Sequence, residues 1–61
     1  MNRRYSILII DDERGTREAM GKFLRPDYDV TLAEDGEIGI NLINRNHYDL
    51  ILSDICMEPG P

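Results

Sequence analysis

Only one cysteine, Cys56, and one histidine, His47, occur in the 61 residues, and there is no tryptophan. A lone thiol excludes an internal disulfide, and with a single imidazole it excludes the Cys/His cluster that structural zinc needs. Cys56 therefore reads as a loop or core residue without side-chain chemistry, and an unpaired thiol fits a reducing cytoplasm. Long apolar runs are missing too. None approaches the ~20 residues of a bilayer-spanning helix, so no membrane is expected as a partner. Arg3 and Arg4 precede the apolar run Ile7 to Ile10, but that run is shorter than the ~7–15 residues of a secretory leader and meets Asp11-Asp12-Glu13. Positive charge is scarce, with seven Lys and Arg against 12 Asp and Glu and a net charge of −5. That balance argues against sequence-independent nucleic-acid binding, which needs clustered cations, and is compatible with a cation site. Length sets a further limit. Below about 70–80 residues a lone core seldom supplies more than ~3–5 kcal/mol without a staple, and a chain of this size buries only about 60% of its extended surface.

What the chain does have is a short apolar segment, Leu50 to Leu52, within Tyr48-Asp49-Leu50-Ile51-Leu52-Ser53-Asp54. A run this brief and apolar on both faces predicts a strand buried on both sides, the habit of parallel sheets. Tyr5-Ser6-Ile7-Leu8-Ile9-Ile10-Asp11 repeats the design, with an aspartate six positions after the tyrosine. Between these segments the pattern predicts a helix from about Arg14 to Leu24, with Ala19, Met20, Phe23 and Leu24 as its buried stripe. Pro26 ends that helix. A strand follows from about Asp29 to Ala33 with Val30 and Leu32 inward, then the turn Glu34-Asp35-Gly36 and a helix from Gly36 to Asn44 carrying Ile38, Leu42 and Ile43. His47 reads as a solvated loop residue away from the carboxylate end. Strand, helix, strand, helix, strand predicts an α/β unit with a parallel sheet and right-handed crossovers.

In open parallel sheets the ligand site lies beyond the carboxyl ends of the strands, where Asp11, Asp12 and Asp54 are expected. Acids between a strand and a helix also serve as caps, the simpler role for Asp11 and Asp12 taken alone. Asp54 at the matching end of a second strand shifts the reading. Clustered carboxylates repel one another unless solvated or bound to a cation, and hard oxygen donors point to Mg²⁺ or Mn²⁺. A further carboxylate beside such an ion is placed to attack phosphorus and form an aspartyl phosphate. The chain stops being patterned after Asp54, in Ile55-Cys56-Met57-Glu58-Pro59-Gly60-Pro61. Three strands and two helices leave an apolar edge open. These residues read as the front part of a larger domain, with the edge covered by further chain or by a second copy.

The acidic pair Asp11-Asp12 after an apolar strand, the turn Glu34-Asp35-Gly36 and the strand ending in Asp54 resemble the N-terminal part of a response-regulator receiver domain. Met57, three residues beyond Asp54, fits as well. The resemblance covers essentially the whole chain and implies a flavodoxin-like, doubly wound parallel sheet. Here only its β-α-β-α-β front part is present, in the strand order 2-1-3, so that residues 1–61 form an incomplete receiver domain. It implies that Asp54 is the phosphoacceptor, that Asp11, Asp12 and Asp54 bind Mg²⁺, and that the backbone carbonyl of Cys56 completes the protein's ligands. The partners implied are a histidine kinase or phosphotransfer protein, met near Arg14, Gly15 and Glu18, and an output domain outside this chain. The module is an acceptor and not an enzyme. Glu58 departs from the family, which usually has proline there, and adds a negative charge near the acceptor. The hydroxyl and the lysine that end the family's fourth and fifth strands are absent, so these 61 residues alone are not expected to carry out normal phosphotransfer. Two alternatives stay open. One is an aspartyl-phosphate hydrolase of similar fold, which would want an aspartate two residues after the nucleophile, where Cys56 stands. The other is a receiver-like domain that binds partners without phosphorylation.

Overall fold

The computed structural model describes residues 4–53, and the statements below concern those residues. Five elements follow in order: β1 (Ser6–Ile10), α1 (Arg14–Leu24), β2 (Asp29–Ala33), α2 (Gly36–Arg45) and β3 (Leu50–Ser53). The strands form one parallel sheet in the order β2-β1-β3. Ser6 to Ile10 pair in register with Asp29 to Ala33, and Ile7 to Ile10 with Leu50 to Ser53. The sheet is thus the expected front part of a flavodoxin-like receiver fold, with strand order 2-1-3.

The two helices lie on opposite faces of the sheet, as strand periodicity shows. Side chains alternate along a strand, so Leu8, Ile10 and the paired Ala33 share one face. There they form a core against which Leu42 of α2 and Tyr48 pack. Leu32 belongs to the other face, and α1 approaches it so closely that a Cβ on Gly21 would stand 3.2 Å from Leu32 Cδ2. Glycine is what permits this approach. On the α2 side Gly39 plays the same part, since a Cβ there would lie 2.4 Å from Ile10 Cδ1. Asp35 caps α2, its Oδ1 accepting from the Ile38 N–H at 2.9 Å.

Two expectations about burial need correction. The strand buried on both faces is β1, whose Ile7, Leu8, Ile9 and Ile10 are all buried. Leu50 and Ile51 of β3 are instead 49% and 42% exposed. The physical reason is position: β1 is central, and β3 is an edge with no neighbour on its outer side among the described residues. The predicted stripe of α1 is contiguous but not buried. Ala19, Met20, Phe23 and Leu24 line an apolar groove with Leu52, and Phe23 is 81% exposed. That stripe overhangs the same open edge, while the residue α1 buries is Gly21. Likewise Ile38 and Ile43 of α2 stay partly exposed and Leu42 takes the core contact.

Polar side chains tie the amino ends of the elements together. Asp49 Oδ2 accepts from Ser6 N–H, and Asp49 N–H donates to Ser6 O, each at 2.8 Å, which fixes where β3 begins along β1. His47 Nε2 lies 3.4 Å from Asp49 Oδ1 and its side chain is solvated, as expected. Arg4 donates to the carbonyls of Arg25 and Tyr28 and pairs with Asp29 at 3.1 Å, clamping the α1–β2 connection.

Candidate functional site

At the carboxyl end of β1 the chain leaves the sheet through Asp11, which is only 2% exposed. Its N–H donates to Ala33 O at 3.1 Å, extending the β1–β2 ladder by one residue. Its Oδ1 accepts from Glu13 N–H at 2.9 Å, an aspartate turn that starts the connection to α1. Its carbonyl accepts from Arg17 Nη1 at 2.9 Å. Oδ2 is different: it is buried and, among the described residues, has no hydrogen-bond partner. A buried carboxylate oxygen without a donor is costly, and a cation is one of the few groups that offsets the cost.

Asp12, next in the chain, is exposed in the bend between β1 and α1. Glu13 is the N-cap residue of α1, yet its side chain makes no capping bond to the backbone. It accepts instead from the Thr16 hydroxyl. The expected capping role for these acids therefore falls to no side chain in α1, and Asp11 is spent on the turn.

The parallel pairing ends with Ile10 opposite Ser53, so β1 and β3 run out at the same rim of the sheet. Asp54 follows Ser53 directly in the sequence. Asp54, Cys56 and Glu58 lie outside the described residues. Among the described residues, no group of three or more acidic, histidine or cysteine side chains is assembled for a metal. Asp11 and Asp12 are the part of the predicted set that the structure describes, side by side at the end of β1. An open pocket of ≈ 540 Å³ adjoins Asp11, lined also by Ile9, Ile10, Met20, Ile51, Leu52 and Ser53. Its walls are mostly apolar and Asp11 brings the charge.

Arg14 and Glu18, on the proposed partner surface, form an ion pair at 3.0 Å with both side chains exposed, and Gly15 faces open space. Sequence reasoning missed Arg17. It reads as one more polar residue off the helix stripe, because a side-chain bond to a carbonyl six residues earlier leaves no periodic trace. Among the described residues, no helix is long and apolar enough to cross a membrane.

Comparison with known proteins adds a family. Residues 7–60 match the response regulator receiver domain. The chain is 36% identical over 53 residues to the transcriptional regulatory protein GlrR of Escherichia coli, covering 85% of this chain and 12% of that protein. It is 38% identical over 52 residues to the response regulator MprA of a Mycobacterium species, covering 84% of this chain and 23% of that protein. A protein named histidine kinase P4 of Formosa agariphila is 36% identical over 52 residues, 85% of this chain and 4% of its own length. The chain thus spans less than a quarter of these curated relatives. No solved structure matches it at comparable stringency.

Proposed function

The chain belongs to the response regulator receiver domain family, and from that premise we propose that it is the Mg²⁺-dependent phosphoacceptor of a cytoplasmic two-component relay. In this reading Asp54 accepts a phosphoryl group from the phosphohistidine of a histidine kinase or phosphotransfer protein. The change is passed to an output domain outside these residues. It is a carrier of the group and not a turnover enzyme.

One observation carries the reading. The pairing ends with Ile10 opposite Ser53, so β1 and β3 run out at one rim, and Asp11, which follows β1, carries a buried carboxylate oxygen without a partner among the described residues. A hard divalent cation suits that oxygen and its acidic neighbour. Asp11, Asp12, Asp54 and the main-chain carbonyl of Cys56 are the groups that would hold it. When bound, the ion offsets the negative charge of the phosphoryl group in transit. The transfer itself belongs to Asp54: a carboxylate oxygen attacks phosphorus, the new P–O bond forms, and the P–N bond breaks with its electrons returning to the imidazole. Asp11, anchored through its N–H, carbonyl and Oδ1, keeps its free oxygen at the rim without needing to reorganise.

The full-length protein carrying these residues, incubated with Mg²⁺ and a small acyl phosphate, is expected to gain one acid-stable, base-labile phosphoryl group. Asp54→Asn should abolish it. Label that persists in Asp54→Asn overturns the acceptor assignment, and steady release of phosphate with no stable label favours a hydrolase. Absence of both label and metal binding favours a domain that only binds partners.

A further inference from the structure

Arg17 occupies the first turn of α1, where its own N–H makes an early helical bond, to Glu13 O at 3.0 Å. A helical side chain leans toward the amino end of its helix, and here the lean brings the guanidinium to the Asp11 carbonyl, 2.9 Å from Nη1. The segment from Asp11 to Arg17 is thereby closed on itself four times: by that bond, by Glu13 N–H to Asp11 Oδ1, by the Thr16 hydroxyl to Glu13, and by Arg17 N–H to Glu13 O. With Asp11 N–H held by Ala33, every polar group of Asp11 except Oδ2 has a partner. The one free direction is fixed by the others.

We propose that Arg17 is the positioning residue of the acidic pair, holding the Asp11 main chain so that the bare Oδ2 stays aimed where a divalent cation is taken up. The inference rests on the cation site of the preceding section but concerns a residue with no ligand role of its own. Arginine suits the task because its guanidinium is planar and always charged, and presents its donors in a rigid fork. Arg14, three residues earlier on the same helix, has the same charge but is spent on Glu18 at the surface.

The proposal makes a prediction of sign. A positive charge near a cation site repels the cation, so charge alone says that removing Arg17 tightens binding. Positioning says the reverse, since removing a group that orients a metal ligand typically costs about 10–100-fold in affinity. The experiment uses the full-length protein and Mn²⁺ alone, with free ion counted by its electron-spin resonance signal. Arg17→Ala and Arg17→Met, the second keeping most of the apolar stem in case the first does not fold, are expected to bind Mn²⁺ about 10–100-fold more weakly. Arg14→Ala should bind as well as the parent, or more tightly. Hydrogen exchange gives a metal-free readout. In Arg17→Met the Glu13 amide, held by Asp11 Oδ1, should lose protection, while the Ile38 amide, held by Asp35, should keep it. Unchanged or tighter Mn²⁺ binding in the Arg17 variants overturns the proposal, as does a uniform loss of protection at both amides, which marks a purely structural role. If the parent shows no Mn²⁺ binding that Asp11→Asn removes, the cation site itself falls. Exchange at Glu13 then still decides whether Arg17 holds the turn.

Discussion

At the scale of single residues, two glycines of the same chain should respond to alanine with opposite signs. Gly39 sits in α2 with Ile10 beneath it, and an added Cβ would meet Cδ1 at 2.4 Å and Cγ1 at 2.9 Å. The second of these is not a free chain end, so Ile10 has to leave its place at the centre of the sheet. Overpacking of this kind costs about 1–3 kcal/mol, more than the ~1 kcal/mol that alanine returns in helix propensity. Gly15 in α1 has nothing within 4 Å of the same atom, and Gly15→Ala should stabilise by about 0.4–1 kcal/mol through the unfolded chain. Denaturant melts of the two variants check the pair, and a stabilised Gly39→Ala would show that Ile10 is not held as described. Asp11 gives a second prediction at this scale. Its buried Oδ2 has no donor among the described residues, so Asp11→Asn removes an unpaired buried charge and should raise the metal-free melting temperature. The same change should erase stabilisation by Mg²⁺, which reaches about 2.7 kcal/mol when the ion is present at ~100 times its Kd. A melting temperature that falls in Asp11→Asn without metal would mean that the carboxylate is worth more to the turn than its unpaired oxygen costs. None of this was readable from sequence. The sequence singles out Asp11 and Asp12 as a pair, but which one is buried, and which oxygen is left over, depends on Ala33, Glu13 and Arg17 arriving from three directions.

Elements were far more legible than contacts. The limits of α1 and β2 coincide with those expected from periodicity, Pro26 and the turn at Glu34-Asp35-Gly36, and α2 runs one residue further, to Arg45. Helix and strand periods are local properties, so the sequence carries them directly. Burial is not local. Leu50-Ile51-Leu52 and Ile7-Leu8-Ile9 look alike as strings, yet one run is an edge and the other the centre of the sheet, because strand order decides which has two neighbours. The helix starts show the same division. Both helices are preceded by acids, but Asp35 caps α2 through its side chain while Glu13 makes no such bond to α1. Asp35→Ala should therefore cost about 0.5–2 kcal/mol, and Glu13→Ala within about 0.5 kcal/mol. Equal losses in parallel thermal melts would contradict the capping geometry. The difference also bears on function: with Asp11 turned inward to hold the Glu13 amide, the start of α1 is organised from the β1 side, which couples the helix to the acidic rim.

For the whole molecule, the physical problem is the side of the sheet where β3 ends the order. Leu50 and Ile51 are about half exposed, and the groove between α1 and β3 is walled by Ala19, Met20, Phe23, Leu24 and Leu52. Among the described residues the outer side of β3 has no neighbouring strand, which adds hydrogen-bonding groups to this apolar surface, and such an edge templates pairing with another chain. The net charge of −5 opposes association, yet among the described residues of β3 itself, Leu50 to Ser53, no side chain is charged. Short-range burial therefore outweighs long-range repulsion once salt screens charges beyond about 8 Å. A polypeptide of these 61 residues should accordingly show a mass by sedimentation that grows with concentration at physiological salt. Ile51→Lys places a charge on the edge, the device by which natural edge strands avoid pairing, and should return the mass toward that of one chain without loss of helical circular dichroism. Joining the polypeptide to chain that pairs with β3 should have the same effect for a different reason, because the backbone groups are then satisfied within one molecule. A mass that stays at one chain at every concentration would mean that 49% and 42% exposure at Leu50 and Ile51 is tolerated in water, and that the edge makes no demand on its surroundings.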